Sequence, residues 1–333
     1  MYWPTNRPFH VALESDEVIP DSKRSDDAVH EYGGKVFAWF DPCVEKGSRM
    51  NQKEPKAGMN RLNGKVALVT GVARPRGMGN CVAQLFAREG ARLAISDVVE
   101  QVWAREKDLR SRGCEALALQ LDLSKLDSVK DMVRKVIDQF GKIDILVNVA
   151  GRSIPPRPPF LEMSEEYWNI VMDRNLRSAV NCCWAVLPHM VKQKYGKVVN
   201  VSSLTGPKTA LRYAAPYAAA KGAVCAFTRA LALEMGEHNI TVNAILPGDI
   251  DTEEKPWTPE DGRRDIGIFH PSLNPPIPRP GRSEEVANLA LFFATDESSY
   301  ITGAEMVIDG GGTIVEPFVY EAFGHSKTEK MKK

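Results

Sequence analysis

The chain has 333 residues with 43 basic and 43 acidic side chains, which give a formal net charge of zero. Since these charges are spread along the chain, neither nucleic acid nor an anionic membrane surface is expected as the main partner. Hydrophobic residues make up 43% of the sequence, which is sufficient for a globular core. No apolar run approaches the roughly 18 residues of a membrane-spanning helix, so no membrane partner is expected.

The six cysteines occur without the C-x-x-C spacing that is typical of metal sites. Cys182 and Cys183 are adjacent in a helical pattern, where their side chains point in different directions and pair poorly. The opening residues lack the apolar core of a signal peptide, because Pro4 and Pro8 interrupt them. We therefore expect reduced thiols, no metal site and a cytoplasmic protein.

Residues 1–60 differ from the rest of the chain, because they mix aromatic side chains with charge runs and show no sustained hydrophobic period. They are either a poorly ordered extension, as termini often are, or an arm that packs on a neighbouring subunit. Residues 313–333 form a tail with several lysines. The intervening residues 61–312 are expected to form one catalytic domain.

Strands and helices are predicted to alternate after the extension. The apolar run at 66–70 predicts a buried parallel strand, followed by a helix and a second strand at 92–96. Apolar side chains recur at helical spacing over 125–140, where Ser124 and Asp127 resemble a capping box.

Later strands are predicted at 143–147, 197–201, 240–246 and 306–308. Long helical patterns separate them, and this alternation is typical of a parallel sheet with helices on both faces. The predicted fold is a single α/β domain, doubly wound and Rossmann-type, with about seven strands. The segment 249–280, which is rich in proline and charge, is expected to cover the substrate.

A glycine-rich turn connects the first of these strands to its helix. Gly71, Gly77 and Gly79 would let the backbone approach a pyrophosphate, which the helix N-terminus would stabilise. This position in an α/β pattern predicts a dinucleotide site.

Asp97 closes the second strand, 18 residues after Gly79. A carboxylate there can accept hydrogen bonds from a ribose hydroxyl and would repel the 2′-phosphate of NADP, which favours NAD(H). A solvated aspartate at a strand end is the alternative interpretation. Arg74 and Arg76 in the turn would attract a phosphate, so NADP(H) stays open.

At this point residues 61–312 resemble the short-chain dehydrogenase/reductase family, in its single-domain branch. Thr70, Gly71, Gly77 and Gly79 match its T-G-x-x-x-G-x-G motif, with two additional residues between Gly71 and Gly77. The other cofactor-binding residues implied by the resemblance are Met78, Asp122, Leu123, Asn148, Ala150, Gly151, Tyr217, Lys221, Pro247, Gly248, Ile250 and Thr252.

The same resemblance implies four catalytic residues. Tyr217 and Lys221 match the Y-x-x-x-K motif, and Asn175 matches the catalytic asparagine. Ser203 matches the catalytic serine, although the 14 residues from Ser203 to Tyr217 are one more than usual. The following S-x-x-G pattern fits Ser203 better than Ser202, whose hydroxyl is expected to bond the backbone.

These residue types suit acid–base chemistry at a carbonyl. Tyr217 and Lys221 lie one helical turn apart, so their side chains share a face. A phenol has a pKa of about 10, and both the Lys221 ammonium and an oxidised nicotinamide are expected to lower it. Tyr217 would then exchange a proton with the substrate oxygen, which Ser203 would hold. The resemblance implies that Lys221 binds ribose and that Asn175 holds a relay water.

The resemblance implies an NAD(P)-dependent oxidoreductase that interconverts a ketone and a secondary alcohol, similar to the 3-oxoacyl-carrier-protein reductase type. Small residues around Tyr217 suit close helix packing, and the resemblance implies a homodimer or homotetramer. A catalytically silent cofactor-binding sensor or scaffold is the alternative, although such proteins usually lose part of the Ser-Tyr-Lys set. An enoyl reductase would space Tyr and Lys more widely.

Overall fold

The computed structural model describes residues 60–252 and 275–314, together with the backbone of 30–32 and 35–37. The chain divides into two units, Met1–Glu54 and Pro55–Lys333. Within the first unit, strand β1 (His30–Tyr32) pairs antiparallel with β2 (Lys35–Phe37). The two interpretations of the extension, and most of the predicted tail, fall outside the described residues.

The second unit is built on parallel strands. They are β3 (Val66–Thr70), β4 (Arg92–Asp97), β5 (Ala116–Gln120), β6 (Ile145–Asn148), β7 (Gly196–Val201), β8 (Ile240–Pro247), β9 (Ile250–Asp251), β10 (Gly281–Arg282) and β11 (Glu305–Ile308). Seven of them form one sheet in the order β11-β8-β7-β6-β3-β4-β5, and β9 and β10 form a separate parallel pair. The chain order reverses between β3 and β6, where doubly wound proteins have their ligand crevice.

Helices cover both faces of this sheet. They are α1 (Met78–Arg88), α2 (Gln101–Ser111), α3 (Leu126–Phe140), α4 (Glu165–Met172), α5 (Ser178–Gln193), α6 (Ala215–Met235) and α7 (Ser283–Ala294). One hydrophobic core packs α1, α2 and α7 against the sheet, and a second packs α3, α5 and α6 against it. The predicted doubly wound α/β fold is confirmed. Among the described helices, none is long and apolar enough to cross a membrane.

One local prediction is wrong, namely the capping box at Ser124. Helix α3 starts after Lys125, which caps it without a side-chain hydrogen bond. The Asp122 carboxylate instead accepts a hydrogen bond from the Ser124 amide at 2.9 Å. This local turn uses the aspartate two residues earlier, a conformation that competes with helix capping. Five cysteines in the described ranges are free thiols.

Candidate active site

The predicted phosphate loop follows β3 and ends at the first turn of α1. Gly71 has a φ of 73°, and a Cβ there would lie 2.9 Å from the Cα of Ala150. A Cβ on Gly79 would lie 2.3 Å from the carbonyl oxygen of Gly71. Only glycine therefore fits either position. The first turn of α1 carries no acidic residue, so its amides suit an anion such as a pyrophosphate.

Thr70 lies at the end of β3 and is buried. Its hydroxyl oxygen accepts hydrogen bonds from the amides of Val149 and Ala150, both at 3.1 Å. The side chain thus joins the phosphate loop to the segment that follows β6. Gly151, the next residue there, would place a Cβ 2.6 Å from the Oδ1 of Asn175.

The Asp97 carboxylate lies against the phosphate loop at the end of β4. Its Oδ2 accepts a hydrogen bond from the Ala73 amide at 2.9 Å, and its Oδ1 accepts one from the Val98 amide at 2.8 Å. Each oxygen keeps acceptor capacity for a further donor, because a carboxylate offers about four acceptor sites. The carboxylate is therefore fixed in place and still able to accept a ribose hydroxyl.

Asp122 and Leu123, two of the predicted cofactor contacts, lie in the turn after β5. Asp122 uses one carboxylate oxygen to bond the Ser124 amide. Leu123 is buried, and its carbonyl accepts a hydrogen bond from Asn181 at 2.9 Å. This turn is therefore tied to α5.

Three of the four predicted catalytic side chains meet where β7 ends against α6. Ser203 follows β7 and forms a hydrogen bond with Tyr217. The Nζ of Lys221 lies 5.8 Å from the Tyr217 ring centroid and donates to the carbonyl of Val201 at 2.9 Å. The hydroxyl of Ser202 donates to the Lys221 carbonyl at 2.8 Å. Of the two adjacent serines, Ser203 contacts the phenol and Ser202 bonds the backbone, as the sequence predicts.

Burial dominates the acid–base properties of both α6 residues. It raises the pKa of Tyr217, while the hydrogen bond with Ser203 lowers it. It also lowers the pKa of Lys221 to about 8, because an ammonium loses its hydration in the interior. The sequence predicts that Lys221 lowers the pKa of Tyr217. This prediction is wrong as far as the protein's own residues are concerned, because the Lys221 ammonium donates to the Val201 carbonyl instead.

Asn175 lies in a π-helical turn, Asp173–Arg177, between α4 and α5. Such turns are rare and are frequent at functional sites. Its Nδ2 donates to the carbonyls of Val171 and Arg152, at 2.9 and 3.1 Å. Its Oδ1 is buried and has no partner among the described residues. The amide is thus held rigidly, with an acceptor available for a water.

A polar network behind the site was not predicted. The Asn148 amide donates to the Oδ1 of Asn200 at 2.9 Å, and the Asn200 amide donates to Thr228 at 2.9 Å. The side chain of Asn148 thus points into the interior and joins β6 and β7 to α6. The available signal was Asn200, a polar residue within the apolar stretch 198–201 of a predicted strand.

The segment after β8 contains the remaining predicted cofactor contacts. Pro247 ends the strand, and the Gly248 amide donates to the Ile308 carbonyl at 2.9 Å. A Cβ on Gly248 would lie 2.8 Å from the Cβ of Asp309, so the backbone approaches β11 closely there. Ile250 belongs to β9, and Thr252 follows it. Most of the predicted substrate cover, residues 253–274, lies outside the described ranges.

Comparison with known proteins identifies the class. A family model described as Enoyl-(Acyl carrier protein) reductase matches residues 71–313. A solved structure described as a short-chain dehydrogenase/reductase from Burkholderia xenovorans is 32% identical with a TM-score of 0.67. The alignment covers 77% of this chain and 99% of that one. The chain therefore belongs to the short-chain dehydrogenase/reductase family, as the motifs predict.

Relatives with named activities show which enzymes the chain resembles. Oxidoreductase UcpA of Salmonella typhimurium is 37% identical over 263 residues, 78% of this chain and 98% of that protein. The 3-oxoacyl-[acyl-carrier-protein] reductase FabG of Thermotoga maritima is 38% identical over 256 residues, 75% of this chain and 98% of that protein. The (2S)-[(R)-hydroxy(phenyl)methyl]succinyl-CoA dehydrogenase subunit BbsD of Thauera aromatica is 35% identical over 254 residues, 76% and 98% of the two chains. This chain is accordingly an oxidoreductase of CH–OH or carbonyl groups.

Proposed function

We propose that this chain interconverts a ketone and a secondary alcohol by hydride transfer, with Tyr217 as general acid and base. The observation that carries the proposal is the hydrogen bond between Ser203 and Tyr217, with Lys221 one turn further along α6. The three side chains meet at the carboxyl end of β7. A glycine loop suited to a pyrophosphate ends β3 in the same sheet.

The nicotinamide cofactor, when bound, supplies or accepts the hydride. Tyr217 donates its phenolic proton to the substrate oxygen in reduction and takes the alcohol proton in oxidation. The hydroxyl of Ser203 donates a hydrogen bond to the same oxygen and holds it against Tyr217. Lys221 binds the nicotinamide ribose, and the unpartnered Oδ1 of Asn175 accepts from a water in the proton relay.

The direction in which the pKa of Tyr217 is shifted matters for this mechanism. Because burial raises it, Tyr217 is protonated near neutral pH and is ready to donate in reduction. Oxidation requires the phenolate. Two groups favour the phenolate: Ser203, through its hydrogen bond, and the positive charge of an oxidised nicotinamide.

The substrate class proposed is a 3-oxoacyl compound or another small carbonyl. Similarity to a relative named as a 3-oxoacyl-[acyl-carrier-protein] reductase and to one named as a [hydroxy(phenyl)methyl]succinyl-CoA dehydrogenase subunit supports it. The test is nicotinamide absorbance with a panel of ketones, secondary alcohols and 3-oxoacyl thioesters, with enoyl thioesters included. Tight cofactor binding without turnover of any panel member would favour a sensor or scaffold, and turnover of enoyl thioesters alone would favour an enoyl reductase.

The adjacent serines offer a matched pair of variants. Ser203→Ala is expected to lower kcat by about a hundredfold, because it removes a donor to the substrate oxygen. It should also move the oxidation limb of the pH profile to higher pH, since the bond that lowers the tyrosine pKa is lost. Ser202→Ala removes hydrogen bonds with the Lys221 carbonyl and the Cys225 thiol but no proposed contact with substrate, and it is expected to change kcat little. Equal losses in both variants would contradict the assignment of Ser203.

Asp97 supports a preference for NAD(H) over NADP(H), because its fixed carboxylate would repel a 2′-phosphate. We expect calorimetry to give a lower Kd for NAD(H) in the parent protein and a narrower or reversed preference in Asp97→Asn. Asp127→Asn is the control, since it makes the same change at an exposed aspartate on α3, away from the phosphate loop. Tighter NADP(H) binding by the parent would overturn the assignment.

The organisation proposed for the whole chain follows the sequence boundaries. Residues 61–312 form the catalytic domain, and 1–60 and 313–333 flank it as an extension and a tail. The chain is proposed to act in the cytoplasm as a homodimer or homotetramer, with α6 and its small residues at a subunit contact. Light scattering coupled to size exclusion measures this state directly.

A further inference from the structure

The phosphate loop, which has two additional residues between Gly71 and Gly77, contacts a distant strand through an arginine. The Nη2 of Arg76 lies 3.2 Å from the Oδ2 of Asp251, which is 175 positions further along the chain in β9. The Asp251 side chain is only 6% exposed. A buried carboxylate requires a charged or hydrogen-bonding partner, so this contact fixes the loop and the strand relative to each other.

A second contact joins the same loop to the start of α7. The hydroxyl of Ser283 donates to the carbonyl of Arg76 at 2.7 Å. Ser283 directly follows β10, which pairs with β9, and the Gly281 amide donates to the Asp249 carbonyl at 2.9 Å. The phosphate loop, the β9–β10 pair and the first residue of α7 therefore form one hydrogen-bonded unit.

The neighbouring arginine of the loop behaves differently. Arg74 is exposed, and within the described ranges it makes no ion pair. Arg76 is only 37% exposed and reaches the buried carboxylate. The two arginines lie two positions apart in one loop, so they form a matched comparison of the same side chain with and without the contact.

Asp251 lies in a segment that, by its resemblance to the family, is proposed to pack on the nicotinamide end of the cofactor. Ile250 precedes it and Thr252 follows it, while Gly248 is three positions earlier. The phosphate loop is proposed to hold the pyrophosphate. The ion pair thus connects the two protein segments that hold different parts of one dinucleotide.

We infer that Arg76 is a positioning residue that acts through Asp251. It fixes the distance between the phosphate loop and the segment 247–252, so that both are preorganised for one extended cofactor. This inference rests on the proposed function, because it takes the loop and the segment to be cofactor contacts. Since such positioning is present before any ligand binds, it is also observable in the protein alone.

Arg76→Met, which keeps the aliphatic stem and removes the charge, should raise the cofactor Kd about tenfold, within the range of couplings between contacting side chains. The kcat should fall as well, because misplaced reacting groups slow the chemical step. Arg76→Lys should recover part of both losses. Arg88→Met, at an exposed position on α1 and outside the phosphate loop, should match the parent in kcat.

The experiment combines calorimetry with hydrogen exchange. Calorimetry with NAD(H) gives the Kd of the parent, of both Arg76 variants, of Asp251→Asn and of the Arg76→Met, Asp251→Asn double variant. Hydrogen exchange without cofactor follows peptides that contain β9 and the Gly281 amide. Faster exchange of these peptides in Arg76→Met but not in Arg74→Met supports the inference. A double variant with the same Kd for NAD(H) as Asp251→Asn alone also supports it.

Two results would overturn the inference. One is a parental exchange rate of the Gly281 amide in Arg76→Met. The other is a loss of binding free energy in the double variant that equals the sum of the losses in the two single variants. Melting temperatures show whether each variant is folded. If the parent itself fails to bind a nicotinamide cofactor, the proposed function fails. The exchange measurement on the protein alone still decides whether Arg76 positions β9.

Discussion

Tyr217→Phe is expected to lower kcat/KM by about a thousandfold in both reaction directions, within the range for loss of a general acid–base group. The phenylalanine keeps the ring on α6 and removes only the hydroxyl that bonds Ser203. Cofactor affinity should fall far less than kcat/KM, because the proposed contacts of Lys221 and of the phosphate loop are retained. Steady-state kinetics and calorimetry on the same preparation separate the two effects.

The matched control is Tyr213→Phe. Tyr213 lies four positions earlier, its side chain is 48% exposed, and it makes a ring contact with Arg212 that phenylalanine would keep. We expect parental kcat and KM from this variant. Comparable losses in both variants would show that the Tyr217 effect comes from the general loss of a hydroxyl near the crevice, and the assignment would have to be withdrawn.

The pH dependence gives a second readout on Tyr217. Oxidation needs the deprotonated phenol, and burial raises its pKa, so kcat/KM for oxidation should increase as the pH rises towards that pKa. Reduction needs the protonated phenol and should decrease over the same range. Both limbs should be missing in Tyr217→Phe, and a limb that persists there would have to belong to another group.

Local patterns in the sequence were sufficient for most strands of the main sheet. Strand β3 was predicted at 66–70 and is observed as Val66–Thr70, because a continuous apolar run in an α/β chain is typical of a strand buried on both faces. Helix α3 was predicted to within one residue, since its apolar side chains recur at helical spacing. The glycines were predicted for the same reason that the structure requires them, close approach of backbone atoms.

These local patterns did not predict contacts between residues that are distant in the sequence. The pair β9–β10 has two residues in each strand, too few for a periodic signal. The ion pair between Arg76 and Asp251 joins residues 175 positions apart. The direction of the shift in the Tyr217 pKa was also not predicted. It depends on burial and on which group the Lys221 ammonium contacts, and the spacing of the two residues reveals neither.

Lys221→Met is expected to lower kcat by at least about a hundredfold while leaving the melting temperature at pH 7 unchanged or higher. The activity loss follows from the proposed contact of Lys221 with the nicotinamide ribose. The stability effect follows from burial. Lys221 is only 2% exposed, and burial lowers its pKa from 10.5 to about 8.

The sign of this contribution follows from proton linkage. Between pH 8 and 10.5 the unfolded chain binds more protons at Lys221 than the folded protein, so stability increases with pH there. Below pH 8 both states are protonated, and the folded protein carries the whole penalty of a buried ammonium, about 3 kcal/mol. Methionine removes this penalty but leaves the Val201 carbonyl without its donor, which costs about 1–3 kcal/mol.

The two effects separate by pH. At pH 7 the methionine variant should melt at or above the parental temperature, and at pH 10, where the parental lysine is largely neutral, its relative stability should be lower. Lys208→Met, at an exposed position, is expected to keep parental activity and melting temperature. A Lys221 variant that melts well below the parent at pH 7 would mean that Lys221 stabilises the fold. In that case Lys221 would serve activity without a cost in stability. Contacts other than the one with Val201 would have to offset the burial of its ammonium.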